Sequence, residues 1–175
     1  MLIDYNIDFS NLLVIGGGLF ATGKWLYEII QKNKWEKNKF LLEKLEEFRE
    51  KNNTKVFHQI LDWNGSFVEV ENEKFRVDDD LFISALDLHT DRHKFSREEL
   101  LLRNTFDRYF DDLNTLYFMV KVGLVDEKHF KKFMDYWFKF FKGKGNKPNE
   151  FYTKIANYMK FYGYGELYDF ICNNK

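Results

Sequence analysis

Hydrophobic positions are patterned in three ways along this chain. Residues 12–23 (LLVIGGGLFATG) form a continuous uncharged run. From residue 35 onward apolar residues recur three and four apart, and between residues 67 and 77 they alternate with polar ones. An unbroken run, a period near 3.6 and a period of 2 predict, in that order, a hydrophobic helix, amphipathic helices and a short strand pair. Over 35–49, Phe40, Leu41, Leu45 and Phe48 lie on one stripe with Lys and Glu between them, which predicts a helix able to continue the hydrophobic one. Residues 56–63 read as a shorter helix stopped at Asn64-Gly65. Residues 67–70 and 74–77 read as a hairpin turning around Glu71, Asn72 and Glu73.

The rest is helical in pattern. Asp78, Asp79 and Asp80 suit the positive end of a helix over 81–88, so they are read as helix-start electrostatics rather than as a calcium loop. Ser96 followed by Glu99 spells a capping box for a long helix to about Val122, and Gly123 stops it. Asp126 opens a helix through Lys142 that carries Phe130, Phe133, Met134, Trp137, Phe138 and Phe141. Residues 150–162 and 166–172 form a last pair around Gly163 and Gly165, after the KGKGNKP loop at 142–148. The predicted fold class is mainly α: an antiparallel helical bundle with one small inserted β-hairpin, preceded by an N-terminal hydrophobic helix.

The uncharged run decides the cellular setting. Residues 9–23 hold fifteen positions without charge, and a helix carried on to Ile30 reaches twenty-two, interrupted only by Lys24 and Glu28. At about 1.5 Å per residue that length spans a bilayer. Lys24 and Glu28 are four apart and can pair or snorkel, while Trp25 and Tyr27 suit the interface. Asp4 and Asp8 precede the run and Lys24, Lys32, Lys34, Lys37 and Lys39 follow it. The expected topology is therefore a single span of the inner (cytoplasmic) membrane, N-terminus outside, with residues 1–31 as anchor and 32–175 as a cytoplasmic helical domain. No basic residue precedes the run, so it is not read as a cleavable signal. The competing reading is a cytoplasmic protein whose helix over 12–30 is buried in a core or a dimer seam.

Two glycine motifs overlap the run. Residues 18–24 (GLFATGK) match the first seven positions of a phosphate-binding loop, but Trp25 stands where the loop needs Ser or Thr for magnesium. The G-x-G-x-x-A at 16–21 lacks the second strand and acidic residue of a dinucleotide site. Neither predicts a cofactor.

Composition narrows the remainder. A chain of 175 residues that is 45% hydrophobic and 31% charged supports a folded core, and its 20 Phe, 10 Tyr and 4 Trp mean that rings fill it. A net charge of −1 argues against a general nucleic-acid surface. The one cysteine, Cys172, excludes an internal disulfide and, three residues from the end, makes a poor nucleophile.

Several blocks together resemble a family. W-x4-F and EEF (Trp35, Phe40, Glu46, Glu47, Phe48), LDWNG at 61–65, LLRNTFDRYFDDL at 101–113, VGLVDEKHF at 122–130, DYW at 135–137 and FYGYGEL at 161–167 look like those of an uncharacterised bacterial group of small helical proteins with a single N-terminal membrane span. The resemblance covers nearly the whole chain. It implies a membrane anchor and carries no activity.

Four constellations hold chemistry-bearing side chains. Asp87, His89, Asp91 and His93 alternate, so an extended segment would present all four on one face as candidate Zn²⁺ or Mn²⁺ ligands; a solvated loop is the simpler reading. Arg103, Asp107, Asp111 and Asp112 read as an ion-pair ladder on one helix, with a catalytic carboxylate pair as the alternative. Asp62 and Trp63 read as a helix stop and a core anchor. His58 and His129 lack a partnered Ser or Cys at a recognisable spacing. The expectation is a membrane-anchored helical domain without a nameable reaction. It would meet the membrane through residues 9–30 and another protein, or a second copy, through the ring-rich face of its last helices. The alternatives are a metal- or nucleotide-dependent hydrolase and a soluble regulatory module.

Overall fold

The structure, a computed structural model, describes the backbone of residues 9–91 and 94–173, and side chains from residue 24 onward. Its elements in chain order are helix α1 (Phe9–Glu50), α2 (Asn52–Asp62), strands β1 (Ser66–Val70) and β2 (Glu73–Val77), and helices α3 (Asp79–Ala85), α4 (Arg97–Lys121), α5 (Glu127–Phe141), α6 (Asn149–Phe161) and α7 (Gly165–Cys172). The chain divides into two units, Met1–Lys39 and Phe40–Lys175.

The first unit contains most of α1. The span expected over residues 9–30 falls largely on 9–23, whose side chains lie outside the described residues. Among the described residues no helix is long and apolar enough to cross a membrane. Backbone over 16–24 is helical throughout, so neither glycine motif forms the strand-to-loop turn that cradles phosphate.

Among the described side chains of α1, the first buried one lies at the start of the second unit. Leu41, Leu45 and Phe48 are buried, whereas every residue from 24 to 37 is exposed. The domain boundary therefore lies eight residues beyond the expected 31/32. Charge ended the predicted anchor at that point, but the helix acquires a core only with the LLEKLEEF stripe. α2 starts four residues earlier than its apolar pattern suggested, because Asn52 and Asn53 begin the helix and reach outward with their side chains, Asn52 Nδ2 to Glu69 O and Asn53 Nδ2 to Asp112 Oδ2.

The hairpin is tighter than expected, with Val70 opposite Glu73 and both Glu71 and Asn72 at positive φ, the two-residue geometry that matches strand twist. Its alternation places Val68, Val70 and Val77 in the core. β1 leans on α2, whose Gln59 Nε2 donates to Phe67 O at 2.9 Å.

α4 is the axis of this unit. It packs against α2, α3 and β1 and buries Leu101, Leu102, Phe106, Tyr109, Phe110, Leu113 and Leu116. Its start carries the predicted capping box: Ser96 Oγ accepts from Glu99 N, and Glu99 Oε2 accepts from Ser96 N at 2.6 Å. Gly123 ends it in the left-handed region at φ +73°, where Leu124 N donates to Met119 O. α3 stops at Ala85, short of the predicted Leu88, because Leu86 N and Asp87 N fold back to Ile83 O and Ser84 O. α5, α6 and α7 pack on one another. Rings connect the layers: Phe57 stacks on Tyr109 with centroids 4.0 Å apart, and Phe110 meets Phe141 edge-on at 6.1 Å.

Candidate functional site

Polar side chains converge where the α3–α4 connection crosses α4 and α6. Arg103 is buried on α4, an expensive position for a charge unless every donor finds a partner. Its Nη1 donates to Ala85 O at 2.8 Å and Asp87 O at 2.5 Å, and its Nη2 donates to Tyr162 Oη at 2.6 Å. Phe95, Tyr158 and Tyr162 surround the guanidinium with ring centroids at 4.3, 5.2 and 5.5 Å. Tyr162 Oη also lies 2.8 Å from Nδ1 of the exposed His89.

The residues of the expected ion-pair ladder serve different elements. Asp107 Oδ1 accepts from Tyr158 Oη at 2.6 Å and Asp111 Oδ1 from Tyr164 Oη at 2.8 Å; Asp112 takes Lys51 Nζ at 2.5 Å and Asn53 Nδ2 at 3.0 Å. Burial pushes the Asp107 carboxyl above its ordinary range, opposed by the Tyr158 hydrogen bond and the Arg103 charge. Burial and the Asp107 hydrogen bond together push the Tyr158 phenol far up, so it remains a donor. The helical spacing was legible, but the tertiary partners, fifty or more residues away, were not.

Among the described residues, Asp87, His89 and Asp91 of the alternating set are not brought together on one face. Its premise was extended backbone, whereas Leu86 to Asp91 fold in turns, with Asp91 N donating to Leu88 O. Asp87 Oδ1 takes Lys154 Nζ at 2.6 Å, His89 faces Tyr162, and Asp91 accepts from Thr90 Oγ1 at 3.2 Å. His93 lies outside the described residues. Among the described residues no group of three His, Cys, Asp or Glu is placed to hold a metal. Asp87 and Asp91 do line a cavity of 250 Å³ with Glu150, Thr153, Lys154 and Asn157. Burial alone would lower the Lys154 ammonium, yet its bonds to Asp87 and Glu150 hold it above its ordinary value, which keeps the carboxylates neutralised. This seam fastens α3, α4 and α6 through Arg103, Asp87, Lys154, Asp107 and Tyr158.

His58 takes part in a second buried contact that sequence spacing did not reveal. Its ring lies flat on Trp137, centroids 3.5 Å apart and planes within 5°, and its Nε2 is 3.3 Å from the buried Tyr109 hydroxyl. Burial, with a smaller effect from Arg49, lowers its pKa to about 3, so the imidazole is neutral. His129 pairs locally with Asp126 at 3.0 Å, and the Cys172 thiol donates to Phe141 O at 3.6 Å. Asp62 Oδ1 accepts from Tyr136 Oη at 2.6 Å, and Trp63, expected as a core anchor, is 68% exposed because the chain turns outward after α2 into Asn64-Gly65.

The rings of the last helices divide between core and surface: Phe130, Phe138, Phe140, Phe141, Phe151 and Tyr158 are buried, while Phe133, Tyr136 and Phe161 are exposed. Apolar surface is open on other elements too. In the second unit, Leu42 and Phe133 are exposed and share a groove of 370 Å³ with Leu45, Glu46, Arg49 and Glu50. In the first unit, Trp25, Leu26, Tyr27, Ile30 and Trp35 are each about half or more exposed. The charged pairs there, Lys24–Glu28 and Lys32–Glu36, are long at 3.9 Å and open to solvent, so they stabilise the helix little. A helical stretch of this kind is marginal in water by itself. No protein-family model, curated protein or solved structure matches the chain.

Proposed function

We propose that this protein is a helical domain held at the cytoplasmic face of the inner membrane by its first helix and that it acts by binding another protein or a second copy of itself. The observation that carries the reading is the exposure of Trp25, Leu26, Tyr27 and Ile30 on α1, directly after the uncharged run at residues 9–23. Burying four such side chains is worth several kcal/mol in total, at about 1.5–3 kcal/mol for each large apolar group. A bilayer and its interface supply that burial while leaving the helix backbone satisfied internally. Acidic residues before the run and lysines after it favour the orientation with Asp4 and Asp8 outside.

A helix packed in a soluble core accounts less well for these side chains, since they are open. An interaction role for residues 40–175 is supported by the Leu42–Phe133 groove, an apolar surface rimmed by charge. Hydrolase chemistry gains no support from the seam around Arg103, where carboxylates are paired with Lys154, Tyr158 and Tyr164.

Orientation is testable by thiol labelling. With Cys172 replaced by Ser, a cysteine at Asp4 is expected to react with a membrane-impermeant maleimide on intact spheroplasts, and one at the exposed Lys144 only after lysis. Labelling of Lys144→Cys before lysis, with Asp4→Cys protected, would reverse the topology; protection of both until lysis would remove the span.

A further inference from the structure

The stretch after the apolar positions is as informative as the run itself. Residues 24–37 are exposed on every side of α1, apolar residues first and lysines after. At 3.6 residues per turn, Lys32 and Lys39 share one face of the helix, whereas Lys34 and Lys37 lie on the opposite one. A contact with one folded partner uses one face. Lysines on opposite faces suit a helix surrounded by its ligand.

The charge and length agree with one surrounding medium. Residues 24–39 carry five lysines against two glutamates, and those glutamates make only long, open contacts at 3.9 Å. From Lys32 to Lys39 the helix rises about 10 Å, which fits within the roughly 13–16 Å of one headgroup layer plus one Debye length at physiological salt. Trp25 and Tyr27 lie one to two turns nearer the uncharged run, where amphipathic rings settle at the edge of the hydrocarbon. The Lys39 ammonium sits 5.6 Å from the Trp35 ring centroid, so this end of the collar also has an aromatic surface that tolerates partial dehydration.

We infer that Lys32, Lys34, Lys37 and Lys39 form a collar that binds anionic phospholipid headgroups and selects them from zwitterionic ones. This rests on the anchor reading and adds to it the chemistry of the lipid. The lysines hold phosphate-bearing headgroups around the helix, and the preference weakens as salt screens the charges.

The test uses the full chain reconstituted into vesicles of mixed phosphatidylcholine and phosphatidylglycerol, with bromine placed on the acyl chains of one lipid or the other. Tryptophan emission reports which lipid surrounds α1, and a Trp25→Phe control assigns the signal. One lysine at an anionic surface is worth about a fivefold preference, so brominated phosphatidylglycerol is expected to quench more strongly than brominated phosphatidylcholine at equal mole fraction. High salt reduces the bias, and the combined Lys32→Gln, Lys34→Gln, Lys37→Gln, Lys39→Gln variant abolishes it while total quenching persists. Equal quenching by both lipids in the native chain would overturn the collar and leave the anchor standing. A bias undiminished in the glutamine variant would also overturn it. Absence of quenching by either lipid would remove the anchor reading on which the collar depends.

Discussion

His58 shows how one side chain ties stability to pH. The ring is held neutral between Trp137 and the Tyr109 hydroxyl, with a folded pKa of about 3 against an ordinary 6.5. Between those values the unfolded chain binds a proton that the folded chain refuses. Stability is therefore full above pH 6.5 and falls with acidification by about 1.4 kcal/mol per pH unit until about pH 3. Urea unfolding across this range is expected to show that slope in the native protein and to lose it in His58→Phe; an equal slope in both would contradict the assignment. Arg103 makes a second residue-level case. Arg103→Met keeps much of the stem but takes the guanidinium donors from Ala85 O and Asp87 O and leaves the Tyr162 hydroxyl with His89, at an expected cost of about 2–4 kcal/mol measured by the same unfolding. Neither environment was legible from the sequence, because Tyr109 is fifty-one residues from His58 and Tyr162 fifty-nine from Arg103. Spacing identifies what shares a helix face, whereas burial in this domain is decided by which helices cross.

At the scale of elements, local chemistry was more legible. Ser96 with Glu99, Asp78 before α3, Asp126 before α5 and Gly123 after α4 act within three or four residues, and each caps or ends its helix as read. Ser96→Ala is expected to cost about 1 kcal/mol, seen as a lowered Tm with unchanged helical content. The hairpin was legible as a hairpin, but its turn was one residue shorter than read, since period-2 patterning does not fix which residues enter the left-handed region. Glu71 sits there at φ +51°. Glu71→Asn is accordingly expected to stabilise by roughly 0.5–1 kcal/mol, its 3.4 Å contact to Arg108 being exposed and weak. A lower Tm in that variant would show that the Arg108 contact outweighs backbone strain. At 87–91 the alternation has no extended backbone to act on, because Leu86, Asp87 and Asp91 fold back in turns.

For the whole molecule, two units share one helix, and along its described side chains the first buried one is Leu41 rather than a residue next to the apolar run. Hydropathy locates where apolar residues are, and the fold alone locates where a domain begins to cover them. Phe- and Tyr-rich helices supply much of the core of the second unit, and still leave Phe133, Tyr136 and Phe161 exposed, while α1 leaves Trp25, Leu26, Tyr27 and Ile30 open. The central claim is that the first helix places the domain on a membrane. It is tested most directly by fractionating cells that express the full chain or a version lacking residues 1–31 and washing the membranes with alkaline carbonate. The full chain is expected to stay in the pellet and the shortened one to be released to the supernatant. Release of both would contradict it, because an integral span resists the wash that strips peripheral proteins.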